Sequence, residues 1–175
     1  MDLGLLLLRL GLAAILYMHA TQKLYGWFSG PGLDQAGSFF ESLGQRPGRQ
    51  MAQLAAACEV SGATLITFGF ITPLGAAVLA GTMIVAGWAL TTSKGTFWNA
   101  AGGGEYPFVL AGSALVLGFT GPGGWSLDGA ISAPWVNPDN GTALLAGIVV
   151  AVVALVAAGV QVFRMRGVGA RASAG

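Results

Sequence analysis

Hydrophobic residues fall into long, nearly unbroken runs, and polar residues crowd into the stretches between them. Five runs stand out, at residues 3–24, 51–71, 74–93, 106–120 and 142–163. About 20 apolar residues in helical form cross the ~30 Å hydrocarbon layer of a bilayer. Four of the runs reach or approach that length, and the fourth in order is shorter and needs its neighbours to complete a crossing. Because the runs are apolar all round, surface-lying amphipathic helices are excluded for most of them. Pro73 breaks the chain between the second and third runs in a tight turn. The pattern predicts five membrane helices.

Two longer connections carry turn signals. In residues 25–50, Asp34 is placed as an N-cap, Phe39, Phe40 and Leu43 recur at helical spacing, and Gly44 is a stop signal. A short interfacial helix is predicted there. Residues 121–141 are rich in Gly, Pro, Ser and Asn and predict an ordered loop outside the membrane. Asn140-Gly141-Thr142 fits a glycosylation sequon, but so short a match arises by chance and is discounted. The first run differs from a secretory signal: Asp2 precedes it, no basic residue comes before Arg9, and Met18-His19-Ala20 is a poor cleavage site. An uncleaved membrane helix is expected.

Composition strengthens this picture. Of 175 residues, 54% are apolar and 9% charged, where a soluble domain this long would carry roughly 44 charged residues. Too few charges remain to solvate a water-facing surface. With a net charge of +1 and no basic stripe, nucleic-acid binding is excluded. Five spans place Lys23, Arg46, Arg49, Lys94, Arg164, Arg166 and Arg171 on one side and Arg9 toward the other. The positive-inside rule then puts the N-terminus outside and the C-terminus in the cytoplasm of an inner-membrane protein. Trp27 and Trp98 fall at one interface and Trp125 and Trp135 at the other, as an aromatic belt does.

Polar residues inside the runs need a reason, because a charge in hydrocarbon costs about 2.5–3.5 kcal/mol on insertion scales. Arg9 lies inside the first run and Glu59 inside the second, ~12 Å from its start by helical rise. His19 and Lys23 are one turn apart, and Arg9 and Lys23 are only ~40° apart around the helix. Arg9, His19 and Lys23 therefore form one basic stripe. With the second run antiparallel to the first, Glu59 is expected to face that stripe, sharing a proton or ion pair with His19 while Arg9 approaches from the outer half. The alternatives are an Arg9 that snorkels outward, a Glu59 that is protonated and packed, and a His19 facing headgroups. Glu105 opens the fourth run, where the helix dipole alone favours an acid. Asp128 either folds back toward Arg9 or is a simple turn residue, and Asn99 is read as a loop cap. The glycine-rich residues 101–104 are read as an interfacial hinge rather than an anion cradle. Cys58, the chain's one cysteine, permits no internal disulfide and is read as a small buried hydrophobe.

No motif for nucleotide binding, hydrolysis or metal chemistry is present, and a single histidine excludes bis-histidine haem ligation within one chain. No metal site and no covalently bound cofactor are expected.

Several short patterns nevertheless occur in a characteristic order. They are Leu7-Leu8-Arg9-Leu10, then His19 with Gln22-Lys23-Leu24, Gly26-Trp27-Phe28 and Gly30-Pro31-Gly32. Phe39-Phe40-Glu41-Ser42-Leu43-Gly44, Glu59 with Gly62, Gly102-Gly103-Gly104-Glu105-Tyr106-Pro107 and Gly121-Pro122-Gly123-Gly124-Trp125-Ser126-Leu127-Asp128 follow. Together, over about residues 3–130, they resemble the DoxX family of small membrane proteins. The resemblance implies an all-α polytopic bundle with a four-helix core over residues 1–130. Residues 131–175 would add a loop, a fifth transmembrane helix and a basic tail, which departs from the family pattern. It also implies a role in a membrane-associated oxidoreductase or redox-homeostasis complex, since the family takes its name from a subunit of a thiosulfate:quinone oxidoreductase. The polar positions it carries over are Arg9, His19, Lys23, Glu59, Glu105 and Asp128, as binding or proton-relay candidates. On this view the bundle binds a lipophilic partner, with a quinone as the candidate, and electrons come from another subunit. Two other readings are a membrane scaffold that docks a soluble redox enzyme through residues 25–50 and its Phe39-Phe40 pair, and a carrier of a small apolar ligand.

Overall fold

A computed structural model describes residues 1–136 and 141–172 of the chain, with side chains through residue 166. Asn140 of the sequon and the side chain of Arg171 lie outside the described residues. The fold is all-helical: α1 (Asp2–Tyr25), α2 (Gly32–Ser42), α3 (Gly48–Phe68), α4 (Thr72–Lys94), a 3-10 turn (Asn99–Ala101), α5 (Glu105–Thr120), α6 (Leu127–Ala130) and α7 (Gly141–Ala172). Among the described residues, α1, α3, α4 and α7 are long and apolar enough to cross a membrane. The 16-residue α5 rises only ~24 Å and packs between α4 and α7. The chain is a polytopic membrane bundle.

Small residues let these helices approach closely. The core joins Leu12 and Leu16 of α1, Ile66 of α3, Leu79 of α4 and Leu117 of α5, interleaved with Ala13, Ala63, Ala80, Ala114 and Ala154. Between membrane helices there is little hydrophobic drive, so such close van der Waals packing is what holds the bundle. The helices alternate in direction and define two ends. The Asp2 end gathers the start of α1, the α3–α4 turn, the segment after α5 and α6. The Tyr25 end gathers α2, the starts of α3 and α5, and the far part of α7.

The Asp2 end is tied by hydrogen bonds. Gly69, at φ +58°, closes α3, and Ile71 follows at φ +46°, a left-handed conformation costly for a β-branched residue. Asp128 of α6 holds this turn from far along the chain. Its Oδ1 accepts from Ile71 N–H (2.9 Å), and its Oδ2 from Thr72 N–H (2.9 Å), Thr72 Oγ1 (2.8 Å) and Trp135 Nε1 (2.8 Å). The carboxylate thus caps the first turn of α4, where the dipole favours it.

At the Tyr25 end, α2 lies across the start of α3. Gly48 has no room for a Cβ, which would meet the Glu41 side chain and backbone of α2. Its N–H donates to Glu41 Oε1 at 3.1 Å. Asp34 is not the N-cap: Pro31 occupies that place, and Asp34 pairs instead with Arg49 of α3. Both charges are largely exposed, so the pair adds little stability. Arg166 of α7 lies 5.2 Å over the Trp88 ring of α4, fastening α7 at the same end. Gly103 and Gly104 are buried against the Phe97 backbone and Gly87, so this glycine run is packed.

Candidate functional site

One hydrogen bond sets the register of the first two spans. Tyr17 Oη of α1 meets Thr64 Oγ1 of α3 at 2.8 Å. With the helices antiparallel, Glu59 is then level with Gln22, one residue from Lys23, and Arg9 is level with Thr72. Helix α3 therefore projects about two turns beyond the end of α1. Glu59, near the middle of α3, sits about one turn inside the end of α1, because its helix starts earlier and protrudes further than its apolar run implies.

There the structure makes an ion pair. Lys23 Nζ donates to Glu59 Oε1 at 2.5 Å. The Glu59 side chain is 2% exposed and that of Lys23 18%. Glu59 Oε2 is buried and has no hydrogen-bond partner among the described residues. His19 is not the acid's direct partner. Its Nδ1 lies 3.3 Å from Gln22 Oε1, and its ring meets Tyr106 edge-on at a centroid distance of 5.7 Å.

These groups line one cavity of about 520 Å³, bounded by α1, α2, α4 and the start of α5, with Glu59 contributed by α3. Polar groups of His19, Gln22, Lys23, Glu59, Asn99 and Tyr106 contribute to its lining. Gln35 and Gln45 add further amides, and the remainder is apolar, including Phe39 and Phe40 of α2 with Met83, Leu90 and Leu110. The volume falls in the range of small-molecule sites, which are mostly apolar with a few convergent polar groups. Phe39 and Phe40 both line this cavity, and Phe39 is also 46% exposed.

The other three sequence candidates lie elsewhere. Arg9 is 1% exposed and donates from Nη2 to the Trp125 carbonyl at 2.5 Å. It neither snorkels nor approaches Glu59, because fourteen residues of α1 separate it from Lys23, or ~21 Å of helix. The two cations share an angular stripe but not a depth. Asp128 is fully buried at the same Asp2 end as the α4 cap, and its own N–H donates to the Gly69 carbonyl at 2.8 Å. Glu105 stays at the rim of the cavity, where Oε2 accepts from Asn99 N–H at 3.0 Å and ties the 3-10 turn to α5. His19, Lys23 and Glu59 are thus brought together, and Arg9, Asp128 and Glu105 lie apart from them, with Arg9 Nε and Nη1 buried and without a hydrogen-bond partner among the described residues.

Sequence reasoning missed Tyr106, Gln22 and the α2 phenylalanines as site residues. Tyr106 carried a signal, being a tyrosine at the mouth of an apolar run beside Pro107. Gln22 had only its place one residue before Lys23.

The DoxX family model matches residues 4–92, half of the chain, and the chain belongs to that family. The matched stretch holds Arg9, His19, Lys23 and Glu59 and ends inside α4, before Glu105, Tyr106, Asp128 and α7. No curated protein and no solved structure matches the chain.

Proposed function

We propose that this DoxX-family chain binds the polar head of a lipophilic redox molecule, a quinone by class, in the cavity beneath α2. It would serve there as a subunit of a membrane-associated oxidoreductase complex. The observation that carries this reading is the buried Glu59 Oε2, without a partner, beside Lys23 in a cavity of about 520 Å³. A buried carboxylate oxygen left unpaired is expensive, and a ligand hydroxyl reaching it removes that cost. Lys23 Nζ and Tyr106 Oη offer donors to a ring carbonyl, and the apolar walls suit the ring itself. Reduction of a quinone to a quinol takes two electrons and two protons. Glu59, Lys23 and His19 would pass the protons from the Tyr25 end, and a partner subunit would supply the electrons, as the family resemblance implies.

The test is equilibrium titration of the chain, purified into lipid nanodiscs, with decylubiquinone. Saturable binding is expected. In E59L, loss of one charge-assisted hydrogen bond weakens it about ten- to a hundredfold. Uptake that rises linearly, and equally in both proteins, is partition into lipid and overturns the reading. A pure docking scaffold gives that second result.

A further inference from the structure

The polar cavity has a neighbour on the outside of the bundle. A groove of about 320 Å³ runs between α3 and α7 with α4 as its floor, lined chiefly by apolar side chains such as Leu54, Val78 and Val153. At its Tyr25 end, Gln161 of α7 donates to Met51 Sδ of α3 at 3.6 Å.

Only the seam between α3 and α4 divides groove from cavity. Consecutive residues look to opposite sides of it. On α3, Cys58 lines the groove and Glu59 the cavity; on α4, Val85 lines the groove and Ala86 the cavity. Toward the Asp2 end the seam is shut, since a Cβ on Gly62 of α3 would lie 2.5 Å from the Leu79 side chain of α4. Toward the Tyr25 end one side chain is common to both. Gln45, 6% exposed, lines the groove and the cavity alike.

We propose that the seam at Gln45 is a lateral opening to the bilayer, and that a ligand with its head at Glu59 passes its aliphatic tail through it into the α3–α7 groove. The inference rests on the reading of the cavity as a head-group site and deepens it, because it assigns the ligand a long tail and a route from the lipid. The groove matches an aliphatic chain in polarity, and Gln45 is a wall that it shares with the cavity. A chain there exchanges lipid contacts for protein contacts, so the groove fixes the ligand's orientation more than it adds affinity. A glutamine suits the gate, because it carries both a polar amide and an apolar methylene stem.

Cys58, the sole cysteine of the chain, reports on the groove without any substitution. Its alkylation rate with N-ethylmaleimide is measured in nanodiscs by mass spectrometry, with two quinones that share a dimethoxy ring. One carries a decyl tail and the other a methyl in its place; both are fully ring-substituted and do not add to thiols. At ten times the Kd of each, mass action leaves about a tenth of sites open. The decyl compound is expected to slow Cys58 labelling about tenfold by the same occupancy, and the methyl compound to bind without slowing it. Q45W, which fills the seam, should abolish protection while the methyl compound still binds.

Binding of both quinones with no protection of Cys58 by either overturns the tail route and leaves the head-group reading standing. Protection by the decyl compound that persists undiminished in E59L shows an independent lipid groove, and also overturns it. Absence of saturable binding by either quinone removes the head-group reading and the tail route together.

Discussion

Removing Lys23 should damage the protein more than removing Glu59, although the two form one ion pair. The asymmetry comes from burial, with 18% of the lysine side chain exposed against 2% of the glutamate. In K23M the carboxylate stays buried, with Oε2 already unpartnered and Oε1 stripped of its donor. Stranding a buried charge in this way costs about 3–5 kcal/mol. In E59Q the amide oxygen still accepts from the ammonium, and the lysine is two residues from the helix end at Tyr25 and can straighten toward the interface. That change costs about 1 kcal/mol. In K23M/E59Q no charge is stranded, and the cost falls back to about 1–2 kcal/mol for a buried amide. The four proteins form a double-mutant cycle with a coupling of roughly 2–5 kcal/mol, read from reversible unfolding in mixed detergent micelles followed by tryptophan fluorescence. Equal losses in the two single variants that simply add in the double would refute the reasoning, because they would mean that Glu59 is indifferent to Lys23.

Three further outcomes follow from the scaffold. D128A leaves Ile71 N–H, Thr72 N–H, Thr72 Oγ1 and Trp135 Nε1 without their acceptor. It should lower stability by about 3 kcal/mol, seen as a fall in Tm in detergent, with quinone affinity per folded molecule unchanged at the far end of the bundle. G69A places a Cβ at φ +58° and 2.5 Å from the Ser126 Cβ, so it should cost about 2 kcal/mol in the same melt; a Tm equal to wild type would contradict the packing at Arg9. With Cys58 replaced by Ala, the charge asymmetry predicts that a membrane-impermeant maleimide labels S132C on intact cells and S29C only after permeabilisation. The reverse pattern would invert the topology.

The spans were legible because a bilayer leaves helices few alternatives, and apolar runs mark them directly. The site was legible only in part, and the reason is depth. Angular position around α1 follows from residue number alone, so Arg9, His19 and Lys23 read correctly as one stripe. Their level against α3 depends on where α3 begins, and its first turns, from Gly48, pack against α2 and not against α1. That offset exchanged His19 for Lys23 as the partner of Glu59 and left Arg9 at the other end. Asp128 shows a second limit. A turn residue and a capping carboxylate look alike in sequence, and the four donors it serves lie 7 to 57 residues away. The phenylalanines of α2 were visible as a helical face, but nothing local says that this face roofs a cavity.

The central claim is that the cavity built on Glu59 and Lys23 receives the polar head of a lipophilic redox molecule. Photo-crosslinking tests it most directly, with a quinone carrying an azido group on the ring, irradiated in nanodiscs and mapped by mass spectrometry. Adducts are predicted on residues of the cavity wall, within His19–Leu43 and at Tyr106–Leu110, suppressed by excess decylubiquinone and lost in E59L. Adducts confined to the outward face of α7, unaffected by competitor, would contradict the account.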